Sequence, residues 1–226
     1  VMGEFGRDYR IVVHDDASDD DTQEVLQRYR RALPLTILRS ERRIGYGASV
    51  EQLLRWVVEE APYPKRDCAV VLQGDFTESP AHVVSLVKVL EGGADIVAGA
   101  AEASVGEPPR GTRAARWAAS TLRRRLLRGS PVSDPLAGLR VYRVIVLKKA
   151  FRDRPESDRL IRSDGWAANV EILGRLVPHA RRIAEVPYDY RYDLRARPSR
   201  FRPWHTVLGL VKLPGSLWGA PGQEAA

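Results

Sequence analysis

Short apolar runs alternate with amphipathic stretches along the first half of the chain. The runs are rich in Val, Ile, Leu and Ala and are too short for helices, which is typical of strands buried on both faces of a sheet. They occupy residues 9–13, 35–38, 69–72 and 94–98. Between them, apolar residues recur at helical spacing, as at 48–60 and 81–91. This alternation predicts an α/β fold with a mostly parallel sheet flanked by helices.

The pattern changes after residue 106, where the chain becomes basic. We expect a helix at 113–127, since its apolar residues recur near the helical period. These residues are Ala114, Trp117, Ala118, Leu122 and Leu126. The pattern suits a helix on an anionic membrane surface, and equally a helix that packs on the core with a solvated arginine face.

Further elements are predicted towards the end of the chain. A β-like run at 139–143 leads into a helix, and a last strand lies within 181–193. Another helix spans 163–176, with Ser163 or Asp164 as its expected cap.

The C-terminal residues have a different composition from the rest. Residues 201–226 mix tryptophan, arginine and short Leu/Val clusters, which is typical of a membrane interface. We therefore divide the chain into an α/β domain at 1–200 and a basic, aromatic, amphipathic tail at 201–226.

Charge and composition narrow the function. The 226 residues carry a net charge of +7, with seven arginines and no acid at 110–128. An anionic partner is therefore expected. Nucleic acid is disfavoured, because the aromatic residues do not interleave with the basic runs as in a stacking platform. The single cysteine, Cys68, excludes a disulfide framework and favours a cytoplasmic setting. No run of about 18 apolar residues occurs, so we expect membrane contact only from the surface.

Acidic residues follow two of the predicted strands. Asp75 comes directly after the strand at 69–72 and Gly74, and Asp15 and Asp16 follow the first strand. Ligands of open α/β sheets bind at these carboxyl ends, where a carboxylate suits a divalent cation or a sugar hydroxyl. The alternative is that these acids only cap the helices that follow.

Six segments, in the right order, resemble the family-two nucleotide-sugar glycosyltransferases of GT-A fold, and most of all the dolichyl- or polyprenyl-phosphate mannose synthases. Each segment is a weak signal by itself, but together they cover nearly the whole chain. The segments are VVHDDASDDDT (12–22), RRIGYGAS (42–49), VVLQGDFTESP (70–80), GGADIVAG (92–99), SDPLAGLRVYR (133–143) and AEVPYDYR (184–191).

The resemblance implies inverting transfer of a sugar from GDP-mannose or a UDP-sugar to a polyprenyl or dolichyl phosphate, at the cytoplasmic face of a membrane. The residues implied for the nucleotide sugar are Asp15, Asp16, Ser18, Gly45, Gly47 and Gln73. Those implied for Mg²⁺ or Mn²⁺ are Asp75 and Gln73. Those implied for the acceptor phosphate are Arg113, Arg116, Arg140 and Arg200. We also expect Asp75 and Arg140 to be catalytic, and Asp134 or Asp164 to be the base if the acceptor is a hydroxyl.

The chain departs from the family pattern in three places. No counterpart of the family's first strand and helix is present, so we expect an N-terminally incomplete sheet with two unpaired edges and low stability. Gln73 replaces the first carboxylate of the D-x-D pair. Ala101 stands where the family has the Arg of its G-x-R motif, and the family's late G-x-S-K turn reads RPSR at 197–200. A catalytically silent relative that binds a sugar nucleotide or a lipid is therefore the alternative to the enzyme.

Overall fold

The computed structural model describes most of the chain as one mixed α/β structure. It covers residues 2–108, 111–112, 114–117, 119, 121, 131–152, 154–155, 157–195 and 203–213.

The strands are β1 (Ile11–Asp15), β2 (Leu35–Arg39), β3 (Cys68–Val71), β4 (Ile96–Val105), β5 (Arg140–Arg143) and β6 (Ile183–Arg191). The helices are α1 (Met2–Phe5), α2 (Thr22–Arg30), α3 (Tyr46–Glu60), α4 (Val83–Glu91), α5 (described at 112, 114–117, 119 and 121), α6 (Val144–Phe151), α7 (Trp166–Leu176) and α8 (Pro203–Val211). Short 3₁₀ turns lie at Pro80–His82, Val177–His179 and Tyr192–Leu194.

The strands form two sheets. Strands β1 and β2 pair in parallel, and the other four follow the order β3-β5-β4-β6. In the larger sheet β3, β4 and β6 share one direction and only β5 is reversed, which confirms the mostly parallel α/β prediction. In the part of the chain that the structure describes, β1, β2, β3 and β6 each keep one edge without a strand partner.

Side-chain alternation along the strands builds a core on each face of the larger sheet. Ile96 and Ala98 of β4 pack towards α3, α6 and α7, whereas Val97 packs towards α4. Helix α3 also contacts β1, so it connects the two sheets. The result is a sheet covered by helices on both faces.

Strand β4 is longer than predicted, and β4 and β6 continue past their neighbours as a two-stranded ribbon. Their pairing runs from Ile96 opposite Ile183 to Val105 opposite Arg191. The first four residues of β4 are buried and the last four are exposed. The ribbon extends in the direction in which β3 runs, so it projects at the carboxyl end of that strand.

The structure tests two local predictions about helices. In the described part of α5, Ala115 and Ala119 are buried and pack against α8, while Trp117 is 71% exposed and Ala114 is also exposed. The apolar face drawn from sequence is therefore not the packed face, and residues 113, 118 and 122–127 of that prediction lie outside the described residues. Neither expected cap of α7 makes a capping hydrogen bond.

The described part of the tail packs on the domain. Leu210 and Leu213 are buried against α5 and α7, whereas residues 196–202 and 214–226 lie outside the described residues, so the boundary at 200 stays a prediction. Within the described residues, no helix is long and apolar enough to cross a membrane.

Candidate active site

Asp75 lies in the turn that follows β3, as the sequence predicted. Its Oδ1 accepts hydrogen bonds from the Thr77 backbone N–H at 3.1 Å and from the Thr77 hydroxyl at 2.5 Å. Its Oδ2 accepts one from Arg195 Nη2 at 2.5 Å. Because the side chain remains 29% exposed, Asp75 presents an accessible carboxylate that is balanced by an arginine.

Glu78, three residues further on, is fully buried and shapes the same turn. Its carboxylate accepts backbone hydrogen bonds from Gln73, Gly138 and Leu139 at 2.8–3.1 Å. Burial raises the pKa of Glu78 to about 7, against the opposing effect of these donors. Glu78 therefore ties the Asp75 turn to the residues that enter β5.

The Gln73 side chain lies beside the same junction. Its amide nitrogen is 2.9 Å from the position that a Cβ on Gly138 would occupy, so only glycine leaves room for it there. Gln73 thus lies in the turn predicted from sequence, next to Gly138 and Glu78.

Three tyrosines of the β4–β6 ribbon and its 3₁₀ turn form a ladder over this region. Tyr188, Tyr190 and Tyr192 follow one another with ring centroids 4.8 and 5.3 Å apart. Burial raises the pKa of all three hydroxyls, so they remain neutral at physiological pH. Tyr192 is close enough to Arg116, Asp134, Arg195 and Asp75 for their charges to affect the pKa of its hydroxyl as well.

Arg116 of α5 points inward to the ladder. Its guanidinium lies 4.5 Å from the Tyr190 ring centroid, and its Nη2 is 3.1 Å from Asp134 Oδ2. Arg116 Nε and the Tyr192 hydroxyl are buried without a hydrogen-bond partner among the described residues. Buried orphan donors of this kind indicate a place for a ligand that brings acceptor oxygens.

The glycine turn between β2 and α3 is held by two carboxylates. Asp16 accepts hydrogen bonds from the Ile44 and Gly45 N–H groups, and Asp164 accepts one from Gly47 N–H at 3.1 Å. Gly45 has a φ of 89°, and a Cβ there would lie 2.8 Å from the Asp164 carboxylate. Asp16 and Asp164 therefore position this turn.

Asp15 is the most enclosed of the predicted nucleotide-binding acids, at 2% exposure. Its carboxylate accepts hydrogen bonds from the Ser18 N–H and the Gln23 amide. Burial alone would raise the pKa of Asp15, but these donors and the charge of Arg39 hold that pKa below its ordinary value. Asp15 thus fixes the loop that carries Asp16 and Ser18.

Arg140 corrects the prediction of an acceptor-binding and catalytic arginine. It is 1% exposed, and its guanidinium donates to the backbone carbonyls of Asn169 and Pro135. An arginine held in the core by these carbonyls cannot reach a phosphate from solvent. Arg113 and Arg200, also predicted for the acceptor, lie outside the described residues.

Tyr46 connects the glycine turn with the segment before β5, which Glu78 ties to the Asp75 turn. Its hydroxyl donates to Asn169 Oδ1, and the Asn169 amide donates to the Leu136 carbonyl. Burial raises the pKa of Tyr46, and the nearby Glu78 carboxylate raises it further. The structure therefore brings the predicted residues of both turns, together with Asp134, into one region at the carboxyl ends of the strands.

The residues around Asp75 fit a cation only if a ligand completes its coordination. The described residues contain no group of three or more His, Cys, Asp or Glu side chains placed to hold a metal ion. Mg²⁺ usually relies on one or two carboxylates together with substrate phosphates and water. Asp75, with the Gln73 amide nearby, therefore suits a cation shared with a bound diphosphate.

Sequence reasoning named Arg116 but not Glu78, Arg195 or the tyrosine ladder, which also shape this site. Glu78, Arg195 and the inward direction of Arg116 follow from long-range contacts, which no local pattern reveals. The tyrosine ladder did have a signal, because Tyr188, Tyr190 and Tyr192 alternate in a predicted strand and must share one face.

Comparisons with known proteins identify the family and the fold. The fold and site define a GT-A-type sugar-transferring enzyme. The profile of glycosyl transferase family 2 matches residues 3–151, more than half of the chain, and the chain belongs to that family. It is therefore a glycosyltransferase that uses a nucleotide sugar.

Two solved structures share the fold. One is glucosyl-3-phosphoglycerate synthase from Mycobacterium tuberculosis with Mn²⁺, UDP and glucosyl-3-phosphoglycerate, at 21% identity, 95% coverage of this chain, 70% of that chain and a TM-score of 0.58. The other is TarS from S. aureus, at 15% identity, 92% coverage of this chain, 64% of that chain and a TM-score of 0.52.

Proposed function

We propose that this glycosyltransferase moves a sugar from a nucleoside diphosphate sugar to the phosphate of a polyprenyl phosphate at a membrane surface. One observation carries the choice of acceptor. Helix α5 directs Arg116 into the site and leaves the adjacent Trp117 exposed. One element thus offers a cation to a phosphate and an aromatic surface to an apolar chain.

Helix α8, which packs against α5, extends the apolar surface. Its Trp204, Leu208 and Val211 are 78%, 55% and 72% exposed and lie on one face at helical spacing. A face of this kind, next to a basic helix, suits the interface of an anionic bilayer. It would hold the enzyme where a lipid-linked acceptor is present.

The donor half of the site is built from the two turns. Asp16, Ser18 and the Gly45–Gly47 turn surround the place for the nucleoside, while Asp75 and Arg195 face the diphosphate. Arg195 can turn from Asp75 to a phosphate oxygen, for which its planar fork is suited. A bound Mg²⁺ or Mn²⁺ would supply positive charge that offsets the negative charge developing on the leaving diphosphate.

The acceptor half needs no strong base. A phosphate monoester is already largely ionised at pH 7, with a second pKa of about 6. A phosphate oxygen attacks the anomeric carbon, the bond from that carbon to the diphosphate breaks, and the configuration inverts. Arg116 orients the attacking phosphate, and Asp134 holds the arginine in place.

A soluble phosphorylated acceptor is the second candidate. The Mycobacterium tuberculosis synthase has been solved with phosphoglyceric acid, so this fold accommodates a small acceptor that bears a phosphate. Such an acceptor would use the orphan donors of Arg116 and Tyr192 but not the exposed stripe on α8.

A transfer assay distinguishes the candidates. The protein is incubated with GDP-mannose, UDP-glucose or UDP-N-acetylglucosamine, each with either polyprenyl phosphate or 3-phosphoglycerate, in Mn²⁺. We expect a lipid-linked product with one donor, and a loss of at least about tenfold in rate for Arg116→Ala, since a charge-assisted contact is worth about 1.5–3 kcal/mol. Transfer to 3-phosphoglycerate without transfer to the lipid would refute the lipid acceptor.

A further inference from the structure

A cavity of about 770 Å³ lies between the loop at 62–66 and helix α6. The loop leads into β3, and α6 follows the last residue of β5. Because β5 is antiparallel to β3, both walls lie at the end of the sheet where β3 begins. Asp75 follows the other end of β3, so this cavity is separate from the sugar-transfer site.

Five exposed cations line the cavity: Lys65, Arg66, Lys148, Lys149 and Arg152. The ion pairs found among the described residues involve arginines at other positions and include none of these five. The nearest acid of the loop, Asp67, already accepts a hydrogen bond from the Tyr63 backbone N–H at 2.9 Å. The cavity therefore concentrates positive charge without a described internal counter-ion.

The positive charge of the cavity also affects the pKa of a neighbouring histidine, His179. Burial lowers the pKa of His179, and the charges of Lys149, Arg152 and Arg154 lower it further. A positive potential thus extends from the cavity rim to the 3₁₀ turn after α7. An anion would be attracted to this region of positive potential.

Apolar side chains form the rest of the lining. Val58, Ile145 and Phe151 contribute from the helices, and Pro62, Tyr63 and Pro64 contribute from the loop. Phe151 is buried beneath the Arg55 guanidinium at 4.7 Å, while the Tyr63 side chain is 63% exposed. Tyr63 is therefore available to stack on a bound group.

The loop wall is held in a fixed shape by the chain itself. Arg66 and Asp67 N–H groups both donate to the Tyr63 carbonyl at 2.8 Å, and Ile145 N–H donates to the Pro64 carbonyl at 2.7 Å. Arg143 Nη1 donates to the Lys65 carbonyl at 2.9 Å. A cavity that is already formed loses less conformational entropy when it binds a ligand.

We propose that this cavity binds a phosphate ester with an apolar or aromatic body, at a second site of the enzyme. Several lysines and arginines around an apolar floor match the two parts of such a molecule. The ester could be a soluble metabolite or the headgroup of an anionic lipid, which share this chemistry.

The test measures the binding of phenyl phosphate and of inorganic phosphate by calorimetry, with EDTA present so that no metal assists binding near Asp75. We expect wild type to bind phenyl phosphate more tightly than inorganic phosphate. Lys148→Ala/Lys149→Ala should weaken both by at least about tenfold, because two of five close charges are lost. Tyr63→Ala should abolish the preference for the phenyl group.

The matched control is Arg30→Ala/Arg31→Ala, which removes two exposed cations near the end of α2 and should leave both affinities unchanged. Equal weakening in this control, or unchanged binding in the lysine variant, would overturn the proposal. Equal wild-type affinity for the two probes would also overturn it. Competition by vesicles of phosphatidylcholine with phosphatidic acid would identify a lipid headgroup as the source, and its absence would identify a soluble ester.

Discussion

Asp75 and Glu78 are three residues apart in one turn but have opposite surroundings. Glu78 is buried and bound by three backbone N–H groups, whereas Asp75 remains partly exposed and faces Arg195. Burying a carboxylate costs desolvation energy, which the three backbone hydrogen bonds offset. Glu78 therefore fixes the turn. Asp75 is the carboxylate that a ligand can reach.

The buried Glu78 predicts a pH-dependent stability. Burial raises the pKa of Glu78 from its ordinary 4.5 to about 7, so between these values the native state binds more protons than the unfolded state. The free energy of unfolding should therefore fall as pH rises through this window, by no more than about 3 kcal/mol. Urea unfolding across pH 4–8 measures the free energy of unfolding of wild type and of Glu78→Gln. The value for wild type minus the value for the variant gives the contribution of Glu78. A difference that stays constant or rises with pH would contradict it.

Because Gln73 brings no charge to the turn, we expect the wild type to bind the cation weakly. Gln73→Asp adds a carboxylate to the turn, so the Mn²⁺ concentration for half-maximal UDP binding should fall by about tenfold. Calorimetric titration with UDP at several Mn²⁺ concentrations checks this, with the exposed Gln27→Asp as control. No shift, or the same shift in Gln27→Asp, would place the cation elsewhere.

At the residue scale, sequence reasoning found the positions better than the roles. Asp15, Asp16 and Asp164 were singled out as ligand-binding or catalytic groups. The structure shows Asp15 accepting a hydrogen bond from its own loop, while Asp16 and Asp164 accept hydrogen bonds from the glycine turn before α3. Arg140 was expected to bind phosphate but is buried. A motif gives residue types and spacing, while burial and partners depend on the packing of distant segments.

Among the elements near the site, helices α5 and α8 differ most from the sequence prediction. The alternatives for α5 were a membrane-bound helix and a core helix with solvated arginines. The structure combines features of both, since Ala115 and Ala119 pack inward, Trp117 is exposed, and Arg116 enters the site. Small residues allow the close packing, and helical periodicity alone does not reveal which side is covered.

The exposed stripe on α8 predicts membrane binding. Trp204→Ala/Leu208→Ala should weaken binding to anionic vesicles by at least about tenfold, since burying each such side chain contributes about 1.5–3 kcal/mol. Binding of wild type should also weaken as salt rises, because part of the attraction is electrostatic. Vesicle co-sedimentation measures both effects.

The matched control for this prediction is Val25→Ala/Tyr29→Ala, which removes two exposed apolar side chains from α2. If this variant loses as much binding as the α8 variant, or if wild type binds neutral vesicles equally well, the α8 stripe is not the membrane contact.

At the scale of the whole molecule, the order of the motifs predicted the GT-A fold. The reversed direction of β5 between β3 and β4 was not predicted, because a β-like run of four residues contains no information about its pairing partner. The long β4–β6 ribbon was also missed, since the second half of β4 is polar or small and exposed.

The division into two sheets predicts unequal local stability. Strands β1 and β2 pair with each other alone in the described chain, and α2 beside them has no buried residue. Amides of Ile11–Asp15 and Leu35–Arg39 should therefore exchange at least about tenfold faster than those of Ile96–Ala98. Native-state hydrogen exchange measures this, and equal protection of all three strands would contradict it.

The central claim is that Asp75 interacts with the diphosphate of the donor, and the rate of sugar transfer by Asp75→Asn tests it most directly. The substitution keeps the shape and a coordinating oxygen but removes the charge. The rate should fall at least about 100-fold, comparable to the loss of one strong transition-state contact. Asp189→Asn, which removes an exposed carboxylate from β6, should keep the wild-type rate. An Asp75→Asn enzyme that transfers sugar as fast as wild type would show that the diphosphate binds elsewhere.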